Sequence, residues 1–214
     1  MEETVKKLAL LLLACLMGCV TGKVELMQPS KTTTTNSKVI DKPREAVWNS
    51  AVPMLGKQFF VINNLDKSSG LMNISYAGDP DRFVDCGRIR STVNNMRGER
   101  TYEFAGESAN ENYEAVVHNQ LFSINRKMAL EGRMNLVFEE VGPNQTRVTT
   151  NTRYVVTRNV RVYRVGGQIP PQTGTDTISF NSGAAASFPK ALDGRATECA
   201  AKGVFESDVL SLIN

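Results

Sequence analysis

The chain has 214 residues, 41% hydrophobic and 22% charged, with 25 Lys and Arg against 22 Asp and Glu for a formal net charge of +3. That composition belongs to an ordinary globular chain and excludes the disordered class, and basic residues scattered among acidic ones lack the footprint of a nucleic-acid binder. One histidine and four cysteines leave little from which to build a metal centre, so no cofactor is expected.

Lys6 and Lys7 precede an apolar run from Leu8 to Val20 that contains Leu16-Met17-Gly18-Cys19. The run is too short for a membrane-spanning helix, which takes ~20 residues, and has the length of a signal-peptide core. Its end, a small residue before cysteine with leucine two places ahead of it, resembles the lipobox of bacterial lipoproteins. The resemblance implies a diacylated Cys19 as the mature N-terminus. Cys15, in Leu12-Leu13-Ala14-Cys15, is a rival site. Processing at Cys19 removes Cys15 and leaves the even pair Cys86 and Cys199, as an oxidising compartment favours. At ~0.8 kcal/mol per buried methylene, two or three acyl chains hold a protein on a bilayer without a span. Val20 is not the aspartate of an inner-membrane retention signal, so the periplasmic face of the outer membrane is the expected location. The expected organisation is residues 1–18 as signal peptide, 19–38 as a lipidated, threonine-rich tether without periodicity, and 39–214 as one periplasmic domain.

The body opens at Val39 and Ile40. Asp41 and Pro43 are helix-start signals for Arg44 to Leu55, with Val47, Trp48, Ala51, Val52 and Leu55 at helical spacing. Pro53 disturbs the last turn and Gly56 suits the end. Gln58 to Ile62, a turn from Asn63 to Gly70, and Leu71 to Tyr76 read as a hairpin. Phe83 to Val93 reads as a strand, and Asn94 to Tyr113 is the most loop-like internal region, with a short strand possible where Tyr102 and Phe104 alternate. Met128, Leu130, Met134, Leu136 and Phe138 then share one parity with Gly132, while Lys127, Glu131, Arg133, Asn135 and Glu139 take the other. Gly142 to Gln145 turns the chain, and Thr146 to Tyr163 returns with Val148, Tyr154, Val156, Val160 and Val162 on one parity. The two segments predict a long antiparallel hairpin. Arg164 to Thr175 reads as a loop, Asp176 to Phe180 as a short strand, and Asn181 to Asp193 as irregular. Phe205, Val209 and Leu212 predict a closing helix.

Pro43-Arg44-Glu45-Ala46-Val47-Trp48, followed by Gln58-Phe59-Phe60-Val61-Ile62 and Ser69-Gly70-Leu71, resembles the helix-grip domains of BamC-like outer-membrane lipoproteins. The fold class expected is therefore α+β, an antiparallel sheet with a long hairpin packed on an N-terminal and a C-terminal helix.

Chemistry is sparse. The sequence has no Gly-x-Ser-x-Gly elbow, phosphate-cradling loop or dinucleotide fingerprint, and the lone His118 has no companion at ligand spacing, so an enzyme is not expected. Cys86 and Cys199 are expected to form a disulfide between the early sheet and the C-terminal segment; two separate buried cysteines are the alternative. Arg147, Arg153, Arg158 and Arg161, with Arg164, make a basic stripe if they face solvent, suited to an acidic partner, a headgroup or a cell-wall polymer. A soluble face with cross-strand partners such as Glu131 and Glu139 is the plainer reading. The first functional expectation is a non-enzymatic outer-membrane lipoprotein that binds an envelope protein partner within an assembly or secretion complex. The alternative is a lipid or small-ligand binder, marked by a cavity lined by Met72, Ile74, Leu136 and Phe138.

Overall fold

The computed structural model describes residues 20–30, 32, 35–190 and 195–214. Cys19 and the rest of the signal segment lie outside them. In chain order the described elements are β1 (Thr21–Met27), β2 (Ser37–Ile40), α1 (Arg44–Gly56), β3 (Val61–Asp66), β4 (Leu71–Gly78), β5 (Val84–Asp85), β6 (Arg88–Asn95) and β7 (Gly98–Ala105), then β8 (Asn110–Val117), β9 (Gln120–Gly142), β10 (Gln145–Arg164), β11 (Gln172–Asn181), β12 (Ala185–Ser187), β13 (Glu198–Ala201) and α2 (Val204–Leu212).

The spine is the hairpin of β9 and β10, 23 and 20 residues long. Its ladder runs from Phe122 opposite Arg164 to Gly142 opposite Gln145. Period two sorts it cleanly: Leu130, Met134, Leu136 and Phe138 with Val148, Tyr154 and Val156 are buried, while Lys127, Arg133, Asn135 and Glu139 are exposed.

The spine carries different neighbours at its two ends. In the half near its turn, β4 pairs with β9, β3 with β4, and β2 with β10. In the far half, β8 pairs with β9 from Val117 opposite Gln120 to Asn110 opposite Lys127, and β11 pairs with β10 from Arg153 to Val162. The helices pack on the near half. Trp48 of α1 meets Phe138 edge-on at 5.1 Å between ring centroids. Phe205 of α2 sits on Gly132, where an added Cβ would come within 2.9 Å of its ring. Over the far half lies a separate small sheet ordered β1-β6-β7, tied to β8 where Ser91 Oγ donates to the Glu114 carbonyl at 2.6 Å. A third small sheet, β12-β13-β5, holds Cys199.

These observations overturn the expected α+β helix-grip fold. Of the described residues 59% are in strands and 12% in helices, and helices of 13 and 9 residues pack on only part of one sheet. The difference lies in segments whose local pattern is poor. Thr21–Met27, expected within the tether, is β1, paired from Thr21 opposite Asn94 to Met27 opposite Arg88. Its only large apolar side chains before Met27 are Val24 and Leu26, so a long-range partner holds it rather than its own periodicity. The loop-like stretch from Asn94 to Tyr113 contains β7 and the start of β8, because its turns are tight and its strands half-exposed. His118 and Asn119, both at positive φ (48° and 57°), form the two-residue turn between β8 and β9, a position where the twist of the paired strands favours left-handed residues. Among the described residues no helix is long and apolar enough to cross a membrane.

Candidate functional site

The inward face of the spine does not stop where the helices stop. Beyond them it continues as Phe122 and Ile124 on β9, Val160 and Val162 on β10, and Tyr113, Ala115 and Val117 on β8, with Val24 and Leu26 of β1 and Ile89 of β6 opposite. Between these walls lies a cavity of about 250 Å³. Packed sheets sit ~10 Å apart, and valine and alanine side chains at Val24, Ala115, Val117 and Val160 are too short to fill that gap. In the near half, Phe205 and Trp48 fill the corresponding space.

Two arginines close the inner end. Arg126 of β9 faces Val160, and Arg158 of β10 faces Met128, so they are diagonal neighbours on one face, ~7–8 Å apart at the backbone. Arg126 is 2% exposed and Arg158 7%. Arg126 donates Nη2 to the Gly106 carbonyl and lies 5.9 Å from the Phe104 ring centre; its Nη1 is buried without a partner among the described residues. Arg158 donates Nη2 to Asp176 Oδ2 at 2.7 Å and to the Pro189 carbonyl at 3.3 Å and stacks 4.5 Å over Phe188; its buried Nε has no partner among the described residues. Burial pulls the Arg126 guanidinium from its ordinary range down to about 10; the Arg158 charge acts the same way, and Tyr113, Glu111 and Glu107 oppose it. Asp176, Lys190 and Thr197 are the other polar residues of the lining besides Tyr113. The result is an apolar chamber with two cationic donors at one end.

The expected site residues fall differently. Cys86 and Cys199 form a disulfide, buried within the main core and joining the segment between β5 and β6 to β13. Of the arginines expected to form a basic stripe, Arg158 leaves the outer face. Arg147, Arg153 and Arg161 point outward, with Arg147 opposite Glu139, Arg153 donating to Ser179 Oγ at 3.1 Å, and Arg161 5.2 Å from the Tyr163 ring centre. Arg158 has the opposite parity and turns inward. Met72, Ile74, Leu136 and Phe138, whose lining of a cavity would have marked the small-ligand alternative, are packed core. Arg126 was not legible as a site residue by motif, yet its parity matches Met128 and Leu130. A charged residue on an apolar strand face is the signal that finds it.

Compared with known proteins, the chain matches no protein-family model, no curated protein and no solved structure.

Proposed function

We propose that this chain is an envelope lipoprotein, anchored through Cys19, whose far cavity binds a small, largely apolar molecule. The carrying observation is the chamber itself: ligand sites are concave, mostly apolar and furnished with a few convergent polar groups, and this one has apolar walls on two sheets with Arg126 and Arg158 at one end. Its volume of about 250 Å³ lies just below the ~300–1,000 Å³ of drug-sized pockets, which suits a ligand with a single short chain. The lipobox-like Leu16-Met17-Gly18-Cys19 supports the anchor. The Cys86–Cys199 disulfide accords with an oxidising compartment. A scaffold role in an envelope complex has less to rest on, because Arg147, Arg153 and Arg161 are dispersed over the outer face rather than joined with Arg158.

The test is uptake of the neutral fluorescent probe N-phenylnaphthylamine. The full chain should enhance its emission saturably, and Val160→Trp, which fills the chamber, should remove that enhancement with the fold intact by circular dichroism. Absence of enhancement in the unsubstituted chain, or enhancement untouched by Val160→Trp, contradicts the proposal.

A further inference from the structure

Resting on the reading of the cavity as a ligand site, we infer that its ligand is an anionic amphiphile: one alkyl or acyl chain lies against Val24, Val160 and Val162, and a carboxylate or phosphate head accepts hydrogen bonds from the guanidinium groups of Arg126 and Arg158. Three observations carry this.

The first is unmade bonding. Arg126 Nη1 and Arg158 Nε are buried and, among the described residues, without a partner, whereas buried polar groups in folded proteins are paired almost throughout, and a charged donor left unpaired is costly. Guanidinium groups carry donors and no acceptors, so the missing partner is an acceptor. Two donors on diagonal neighbours suit one head with at least two oxygens.

The second is charge. Two buried arginines, Arg126 and Arg158, line the chamber with an exposed Lys190 at its edge and one lining carboxylate, Asp176; Asp176 is engaged by Arg158, and of Glu107 and Glu111, which also act on Arg126, Glu107 is paired with Lys202. Two buried cations at the inner end favour an anion and repel a cation. Burial disfavours the charged form of Arg126, and an anion within ~4–6 Å restores it.

The third is direction. The arginines are buried at the inner end, while Phe122, Ile124, Val160 and Val162 towards the far end of the spine are half-buried. From Arg126 to Phe122 is four residues of strand, about 13 Å at ~3.3 Å each. The head therefore enters first, and a single chain extends towards the turn between β8 and β9.

The experiment is a head-group series at constant chain length, read as displacement of N-phenylnaphthylamine from the full chain by decanoate, decyl phosphate, decanol and decyltrimethylammonium. At least one anion should displace the probe at a concentration about tenfold or more below that of decanol, as a charge-assisted pair of hydrogen bonds requires, and the cation should be weakest. Decanoate ahead of decyl phosphate assigns a carboxylate head; the reverse order assigns a phosphate. Arg126→Met should bring the anions level with decanol, each displacement being measured against the variant's own uptake of the neutral probe. Should that variant not fold, the unsubstituted chain carries the test alone. Decanol displacing as well as both anions overturns this inference and leaves the cavity reading standing. No uptake of the neutral probe sinks the cavity reading itself.

Discussion

Tyr154 of β10 donates a 2.7 Å hydrogen bond to Glu206 of α2, and this buried pair is the polar bolt between the spine and the closing helix. Glu206, 1% exposed, also accepts from Ser182 Oγ at 2.6 Å. Burial, then the Glu206 charge, pushes the Tyr154 phenol well above its ordinary range, so it stays a neutral donor at any physiological pH.

Glu206→Ala takes the carboxylate acceptor from the buried Tyr154 phenol and from Ser182 Oγ, which keeps its bonds to Thr152. Hydrogen bonds to charged groups contribute ~1.5–3 kcal/mol, so the expected loss in urea unfolding is about 3 kcal/mol, with Tyr154→Phe costing less. The double variant should fall short of the sum of the two. Additive losses would mean that the two groups do not act on each other.

Gly132 is the socket for Phe205. Gly132→Val places carbon against a ring already at contact distance, and overpacking of this kind costs about 1–3 kcal/mol. Phe205→Ala in the same chain should recover part of that loss. A Gly132→Val chain as stable as the unsubstituted one would contradict the packing described.

The Cys86–Cys199 bridge spans 113 residues. Loops on the order of 100 residues are assigned ~4–5 kcal/mol in the chain-entropy model. Cys86→Ser with Cys199→Ser should lower unfolding stability by about that amount, and reductant should affect the unsubstituted chain alone. Recovery of both cysteines as free thiols in non-reducing peptide maps would contradict the bridge.

Asp66 governs part of the acid response. Hydrogen bonds from Ser68 and Ser69 hold its carboxyl down at about 2, below an ordinary ~3.9. A carboxyl with a depressed folded value stabilises the fold fully above its unfolded value, and that contribution is lost as pH falls through about 2. Asp66→Asn should therefore flatten the stability profile between about pH 4 and 2. An unchanged profile would show that the turn does not depend on this charge.

The legible parts of the chain are those whose pattern is local. Met128 to Phe138 and Val148 to Val162 announce the spine by parity, and Val47 to Leu55 and Phe205 to Leu212 announce the helices. β1 is illegible because its pairing with β6 is long-range and its composition, Thr21-Gly22-Lys23-Val24-Glu25-Leu26-Met27, is half polar. The helix-grip expectation fails for that reason: strands hidden in polar segments, not helices, cover the far half of the spine. The candidate site was half visible. Arg158 shares parity with Val156 and Val160, and Arg126 with Met128; extending each apolar row by one step puts both inside. Grouping arginines by proximity in sequence, without that parity, joined Arg158 to Arg147, Arg153 and Arg161, which face the other way.

The most direct measurement is methyl NMR of the full chain titrated with decanoate. Saturable shifts confined to methyls of the chamber walls, Val24, Leu26, Val117, Ile124, Val160 and Val162 among them, with Met72, Ile74 and Leu136 unmoved, are the predicted result. Shifts spread over the packed core, or no shifts at any decanoate concentration below its micelles, would contradict it.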